Sequence, residues 1–275
     1  MAPVATSPAA ATTPRPLPKY VQAEVTKQQL DWADLVTLDL EDFDRKGGKQ
    51  ELAEQLFDAV QSIGFFHVNS YGLTQEETDL PRHLENGRYN GYKPSGTKEI
   101  VAGIFDNTEV YNIPKFIPHL TESQKQPELI LEHAEEVASF ARRIFKNVVR
   151  KSLVLFAIVL ALPEDHFLQS HEYEDISDCY LRYMKYHRRT PEQNKAIDNV
   201  WAEGHTDFGS LTLLFRQPIA SLQVRTPDGQ WKWVKPYPES ITVNLADVLQ
   251  SVTNGFPKSS IHRVVVPPQD QSNVD

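Results

Sequence analysis

From residue 178 onward the chain is written in short β-rich pieces separated by Pro, Gly and Asn, at 180–186, 210–215, 221–224, 231–234, 240–243 and 261–266. Several short strands at this spacing predict an antiparallel barrel or sandwich. Such a fold holds its core, or a ligand, between its sheets. Any chemistry in this half of the chain therefore belongs to side chains that the strands point inward.

The first half reads differently. Residues 36–40 alternate as a strand, residues 49–63 place Leu52, Leu56, Ala59 and Ile63 at helical spacing, and 65–68 form a second apolar strand, which together predict a β-α-β opening. Residues 127–162 then carry Ile130, Ala134, Val137, Ala141, Ile144, Val148 and Leu155 on one stripe, predicting a single long helix begun by Pro127 and ended by Pro163. The fold class expected is α+β. The domain organisation expected is a disordered tail over 1–18, an N-terminal region over 19–125, a connecting long helix over 126–177 and the β-core over 178–275.

Composition excludes several classes of partner. The tail over 1–18 is nearly all Ala, Pro, Thr and Ser, too poor in apolar surface to fold and without the apolar stretch of a signal peptide; an organellar transit peptide would want more than its lone Arg15. The longest apolar run, 153–162, has ten residues, whereas a membrane span needs about 20; it predicts a buried element. A net charge of -9 has the wrong sign for a phosphate-neutralising surface, so nucleic acid is not an expected partner. The single cysteine, Cys179, has no partner within the chain for a disulfide, which points to a reducing, cytoplasmic setting.

Within the β-rich half, His205-Thr206-Asp207 places an imidazole and a carboxylate two residues apart. On a strand those side chains share a face about 7 Å apart and can converge on one metal ion. The motif alone discriminates little: 9 His and 17 Asp in 275 residues give 9 × 17 / 275, roughly 0.6 such triplets by chance, and an edge histidine bonded to Asp207 is the alternative. His262, 57 residues downstream in another strand-like stretch, completes a set of two histidines and one carboxylate. That set is the facial triad of non-haem Fe(II) oxygenases, which leaves three coordination positions open.

The stretch Gly204-His205-Thr206-Asp207-Phe208-Gly209-Ser210-Leu211-Thr212-Leu213-Leu214 resembles the first metal strand of the iron(II)/2-oxoglutarate-dependent dioxygenases, the isopenicillin N synthase-like group. The resemblance continues in order along the chain, through Asp39-Leu40, Gly64-Phe65-Phe66, Gly91-Tyr92-Lys93-Pro94, Leu162-Pro163-Glu164-Asp165-His166-Phe167, Leu222-Gln223-Val224, Gly229-Gln230-Trp231 and Val234. It ends at Val243-Asn244-Leu245-Ala246-Asp247-Val248-Leu249-Gln250 and Thr253-Asn254-Gly255, which are similar to the approach to the distal histidine. It implies a double-stranded β-helix, or jelly roll, with His205, Asp207 and His262 as Fe(II) ligands. It further implies 2-oxoglutarate and O2 as cosubstrates, and a small organic, secondary metabolite as substrate. Tyr186 stands where relatives have a tyrosine that contacts the cosubstrate; a tyrosine packed in the barrel wall is the alternative.

Three departures qualify what the resemblance implies. Relatives grip 2-oxoglutarate with an Arg-x-Ser pair after the distal histidine, and this chain ends at Asp275 without one. The one Arg-x-Ser, Arg150-Lys151-Ser152, falls on the expected long helix, and Arg263, beside a metal-facing histidine, should point to the opposite face. The span from Gly72 to Gly91 is short, Ser70-Tyr71-Gly72 replaces Asn-His-Gly, and Met184 replaces an Asn frequent in plant members. The expectation is thus an oxygenase whose last core strand is missing and whose activity is impaired. Two further readings stand beside it: an inactive remnant acting as a binding module, and an oxidase that uses iron without 2-oxoglutarate. The Tyr-, Phe- and Gly-rich segment 86–118 either folds over the barrel mouth or is an ordinary packed connection.

Overall fold

A computed structural model describes residues 22–74, 91–123 and 126–272. The tail over 1–18 and most of the short span before Gly91 lie outside the described residues.

β1 (Thr37–Asp39) runs into a 3-10 turn that Asp39 caps by accepting a hydrogen bond from the Glu41 backbone. α1 (Gly48–Ser62) follows, burying Leu52, Leu56, Ala59 and Val60, and Gly64 turns the chain into β2 (Phe65–Asn69). The β-α-β opening is present, with β1 and β2 parallel. β2 then pairs with β12 (Ile241–Leu245), and β12 with β9 (Leu211–Phe215), giving a four-stranded sheet of order β1-β2-β12-β9. The opening segment therefore extends a sheet of the β-rich half.

The second sheet, of order β11-β10-β13-β8, joins β8 (Val200–His205), β10 (Leu222–Arg225), β11 (Trp231–Trp233) and β13 (His262–Val265). The two sheets face each other: Phe65 of β2 meets His262 of β13 edge-on at 5.5 Å and clusters with Val224 of β10. This is the sandwich of a jelly roll. β3 (Gly91–Lys93), β6 (Thr108–Pro114) and β7 (Tyr180–Tyr186) form a third sheet, and β4 (Glu99–Val101) pairs with β5 (Ile104–Phe105). The described part of the Tyr-rich segment is thus mostly β structure packed on β7.

The helix expected over 127–162 is interrupted twice. α2 (Pro118–Ser123) precedes α3 (Glu128–Glu132), which stops at His133; α4 (Ala134–Ile144) follows, then a π turn over Phe145–Val149, then α5 (Arg150–Val159), while the short α6 (Pro191–Ala196) lies between β7 and β8. A π turn inserts a residue and rotates the face that follows. Period counting over the whole stretch does not register it, because each half keeps its own stripe. Beyond the turn, Leu153 to Ala157 are all buried, as in a helix covered on every side. α5 packs with α1 on the outer face of the first sheet, against Phe66, Val68, Ile241, Val243 and Leu245. No helix among the described residues is long and apolar enough to cross a membrane.

Alternation on β12 sends Ile241, Val243 and Leu245 to that helical core, and Thr242 and Asn244 to the interior between the sheets. Beside Thr242 lies His67 of β2, 1% exposed, its Nδ1 3.1 Å from the threonine hydroxyl, its ring edge-on to Tyr237 and its Nε2 without a partner. Burial pushes the imidazole down to about 4, from an ordinary 6.5. A folded-state value below the unfolded one means that the unfolded chain binds the proton first, so stability falls as pH drops from about 6.5 to 4. The full contribution is about 3 kcal/mol. Urea midpoints across this range should fall steeply for the wild type and less steeply for His67→Gln; equal slopes would rule His67 out as the cause.

Candidate metal centre

His205 is the last residue of β8 and His262 the first of β13, and the two are register partners whose ring centroids lie 4.4 Å apart. Register shifts in this pairing mark bulges, which re-aim side chains beside a site. Each imidazole is oriented from behind by a main-chain carbonyl two residues earlier: His205 Nδ1 lies 2.8 Å from the Glu203 oxygen and His262 Nδ1 3.2 Å from the Ser260 oxygen. With Nδ1–H donating to these acceptors, both Nε2 lone pairs face the space between the sheets.

Asp207 departs from the expected geometry. The spacing predicts it on the same strand face as His205, but β8 ends at His205 and Asp207 lies in the loop beyond. The loop folds back because the N-terminus of α7 (Asp247–Val252) takes it up. The Ala246, Asp247 and Val248 N–H groups donate to the carbonyls of Ser210, Asp207 and Gly209 at 3.1, 2.9 and 2.8 Å. These are donors a helix start leaves unsatisfied. Thr206 adds a bond to the Asp247 carboxylate, and His171 reaches Ser210 Oγ at 2.8 Å. Asp207 Oδ1 is thereby set 3.6 Å from His262 Nε2 and 3.8 Å from His205 Nε2.

Asn244 fixes the carboxylate's other oxygen, donating from Nδ2 to Asp207 Oδ2 at 2.8 Å. Spacing did not single out this residue, yet an amide inside the apolar strand Ile241–Leu245 is a signal, since a buried polar group requires a partner. Burial chiefly holds the His262 imidazole below its ordinary range, with His205 adding to the shift and Asp207 opposing it. A neutral imidazole is the form that ligates metal.

One donor atom from each of His205, Asp207 and His262 lies within 4.8 Å of the other two. Two imidazole nitrogens and one carboxylate oxygen, each oriented by its own hydrogen bond, suit a divalent first-row metal such as iron. The remaining sequence candidates are not among the three converging donors. Tyr186 stacks on Trp201 at 5.9 Å, and burial pushes its phenol up to about 12, so the hydroxyl keeps its proton. Arg263 points away, stacked on Trp231 and bonded to Gln223, while Arg150 pairs with Glu172 on α5.

The family model of the 2OG-Fe(II) oxygenase superfamily matches residues 177–273. A UPF0676 protein of Schizosaccharomyces pombe is 38% identical over 243 residues, 79% of this chain and 73% of its own length. 1-Aminocyclopropane-1-carboxylate oxidase 4 of Solanum lycopersicum is 31% identical over 231 residues, 77% of this chain and 68% of its own. Among solved structures, a full-length Neurospora crassa protein crystallised with alpha-KG superposes with a TM-score of 0.72 at 22% identity, covering 90% of this chain and 84% of that one. That last likeness is one of fold.

Proposed function

The chain belongs to the 2OG-Fe(II) oxygenase superfamily, and from that premise we propose that it oxidises a small organic metabolite at an iron held by His205, Asp207 and His262. It is an oxidoreductase of the dioxygenase type, and its family works with Fe(II), 2-oxoglutarate and O2. When bound, the iron supplies the point at which 2-oxoglutarate is oxidatively decarboxylated to succinate and a bond of the substrate is oxidised. The observation that carries the assignment of ligands is the convergence of three donor atoms from β8, the following loop and β13.

The protein's own part is orientation. Glu203 and Ser260 carbonyls hold the imidazoles with Nε2 forward, and Asn244 holds one carboxylate oxygen so that the other is presented. Three protein donors leave the rest of the coordination sphere to exogenous ligands. Tyr186, protonated and stacked on Trp201, is the residue proposed to contact the cosubstrate. The cytoplasm is the proposed setting, consistent with the single, exposed Cys179.

Purified protein supplied with Fe(II), ascorbate and 2-oxoglutarate should take up O2 and release succinate, and both should stop when Fe(II) is withheld. O2 uptake without succinate would favour an oxidase that dispenses with 2-oxoglutarate; absence of metal binding would remove the centre altogether. Asn244→Ala should weaken Fe(II) binding by roughly 10–100-fold, the usual effect of losing a hydrogen bond behind a ligand. Anaerobic Fe(II) titration measures it, and an unchanged affinity would show that Asp207 is oriented without Asn244.

A further inference from the structure

The short helix α6 contributes no buried side chain to the core, yet both its ends are fastened. At its start Thr190 and Gln193 form a capping box: the Thr190 hydroxyl accepts from the Gln193 N–H at 3.2 Å, and the Gln193 side chain accepts from the Thr190 N–H at 3.0 Å. Just beyond its end, Asp198 and Asn199 are two successive non-glycine residues with positive φ, +51 and +59, a conformation that costs free energy at each. Such strain persists where neighbouring bonds over-determine it, and it clusters at ligand clamps and active sites. Here the Asn199 N–H donates to the Asn194 oxygen at 2.8 Å, and the Asn199 carbonyl accepts from the Val266 N–H at 2.9 Å.

Two residues past this turn stands Trp201. Its indole N–H, which can only donate, is taken by Asn194 Oδ1 at 2.8 Å. Asn194 is itself immobilised: its N–H donates to the Thr190 carbonyl at 2.9 Å, its own carbonyl accepts from Asn199, and its Nδ2 reaches the Arg189 carbonyl at 3.5 Å. The indole plane lies within 19° of the Tyr186 ring, with centroids 5.9 Å apart, an offset stack. The phenol of Tyr186 is also hydrogen-bonded by the hydroxyl of Thr108, its register partner on β6. Tyr186, the last residue of β7, is thus located by side chains from α6, β8 and β6.

We propose that Asn194 and Trp201 are positioning residues for 2-oxoglutarate: Asn194 fixes the indole, and the indole fixes the Tyr186 phenol that meets the cosubstrate. The proposal rests on the reading of Tyr186 as that contact. It gives α6, which adds nothing to the core, a part in cosubstrate affinity and none in metal affinity.

The full chain, loaded with Mn(II) as a redox-inert stand-in, is titrated with 2-oxoglutarate by calorimetry. Loss of the stack in Trp201→Leu, or of the indole's acceptor in Asn194→Ala, should weaken 2-oxoglutarate binding about 3–10-fold. Mn(II) affinity should stay within about 2-fold of the wild type in both. Trp201→Phe keeps a ring for Tyr186 but has no N–H, so adding Asn194→Ala to it should cost nothing further, because the two residues act through one bond. Asn194→Asp, which keeps an acceptor oxygen, should recover most of the affinity. A role in stability alone would lower the melting temperature and leave the 2-oxoglutarate affinity of the folded chain where it was. Unchanged affinity in either Trp201→Leu or Asn194→Ala, additive losses in the double variant, or an equal loss of Mn(II) binding would overturn the proposal. Tyr186→Phe tests the reading beneath it. If removing that hydroxyl leaves 2-oxoglutarate affinity unchanged, or if the wild type binds Mn(II) but no 2-oxoglutarate, the cosubstrate contact is misassigned and this proposal falls with it. If the hydroxyl matters while the Asn194 and Trp201 variants bind normally, this proposal alone fails.

Discussion

His262→Ala is expected to abolish Fe(II) binding and Fe(II)-dependent succinate release while leaving the chain folded. The imidazole is 8% exposed, fixed from behind by the Ser260 carbonyl and packed on the Phe65 ring, and among the described residues no other His, Cys, Asp or Glu belongs to the cluster. Two donors, His205 and Asp207, would remain, the first of them half exposed to water that competes for the metal. Loss of a ligand itself must exceed the roughly 10–100-fold cost of losing a hydrogen bond behind one. Arg263→Ala is the matched control one residue away. Its side chain lies on Trp231 and Gln223, outside the sandwich, and its loss should leave Fe(II) affinity unchanged. Anaerobic titration of both variants decides the matter: equal affinities would mean that the face of β13, and with it the ligand set, is misassigned.

The contrast between adjacent residues on β13 also shows how much of the centre was legible in the sequence. Strand alternation is local, so the outward turn of Arg263 follows from the inward turn of His262 without knowledge of the fold. The same rule misplaces Asp207, because β8 stops at His205 and the backbone is drawn to the N-terminus of α7, about forty residues on. Interactions between segments that distant leave no periodic trace. Asn244 is an intermediate case: its polarity inside a buried strand announces a partner, but only the pairing of β12 with β9 reveals that the partner is Asp207. Five strands, β3 to β6 and β8, are missing from the sequence reading; the two longest, β6 and β8, carry Glu, Asn or Gly where alternation asks for apolar residues, and β6 ends in Pro114. Their stability comes from pairing with β7 and β13.

Gly64→Ala is expected to be the most destabilising single-methyl change near the site, at about 3–5 kcal/mol, because two costs coincide there. Gly64 has φ +68, a conformation that charges any other residue about 1–2 kcal/mol. A Cβ added to it would also lie 1.9 Å from the Lys258 carbonyl oxygen, which is main chain and cannot rotate away. The crossing is fastened on both sides: the Lys258 N–H donates to the Val60 oxygen at 2.9 Å, and the Gly64 oxygen accepts from Leu245 at 3.0 Å. Relief would require the Lys258–Ser260 segment to move, and Ser260 is the residue whose carbonyl orients His262. Gly255→Ala separates the two costs, since Gly255 has φ +81 and nothing within 4 Å of its added methyl; it should lose only about 1 kcal/mol. Urea midpoints of the two variants should therefore differ by several-fold in lost stability, and Gly64→Ala alone should also bind Fe(II) more weakly. Equal losses would show that the backbone crossing is looser than its hydrogen bonds imply, and that His262 is held independently of the turn into β2.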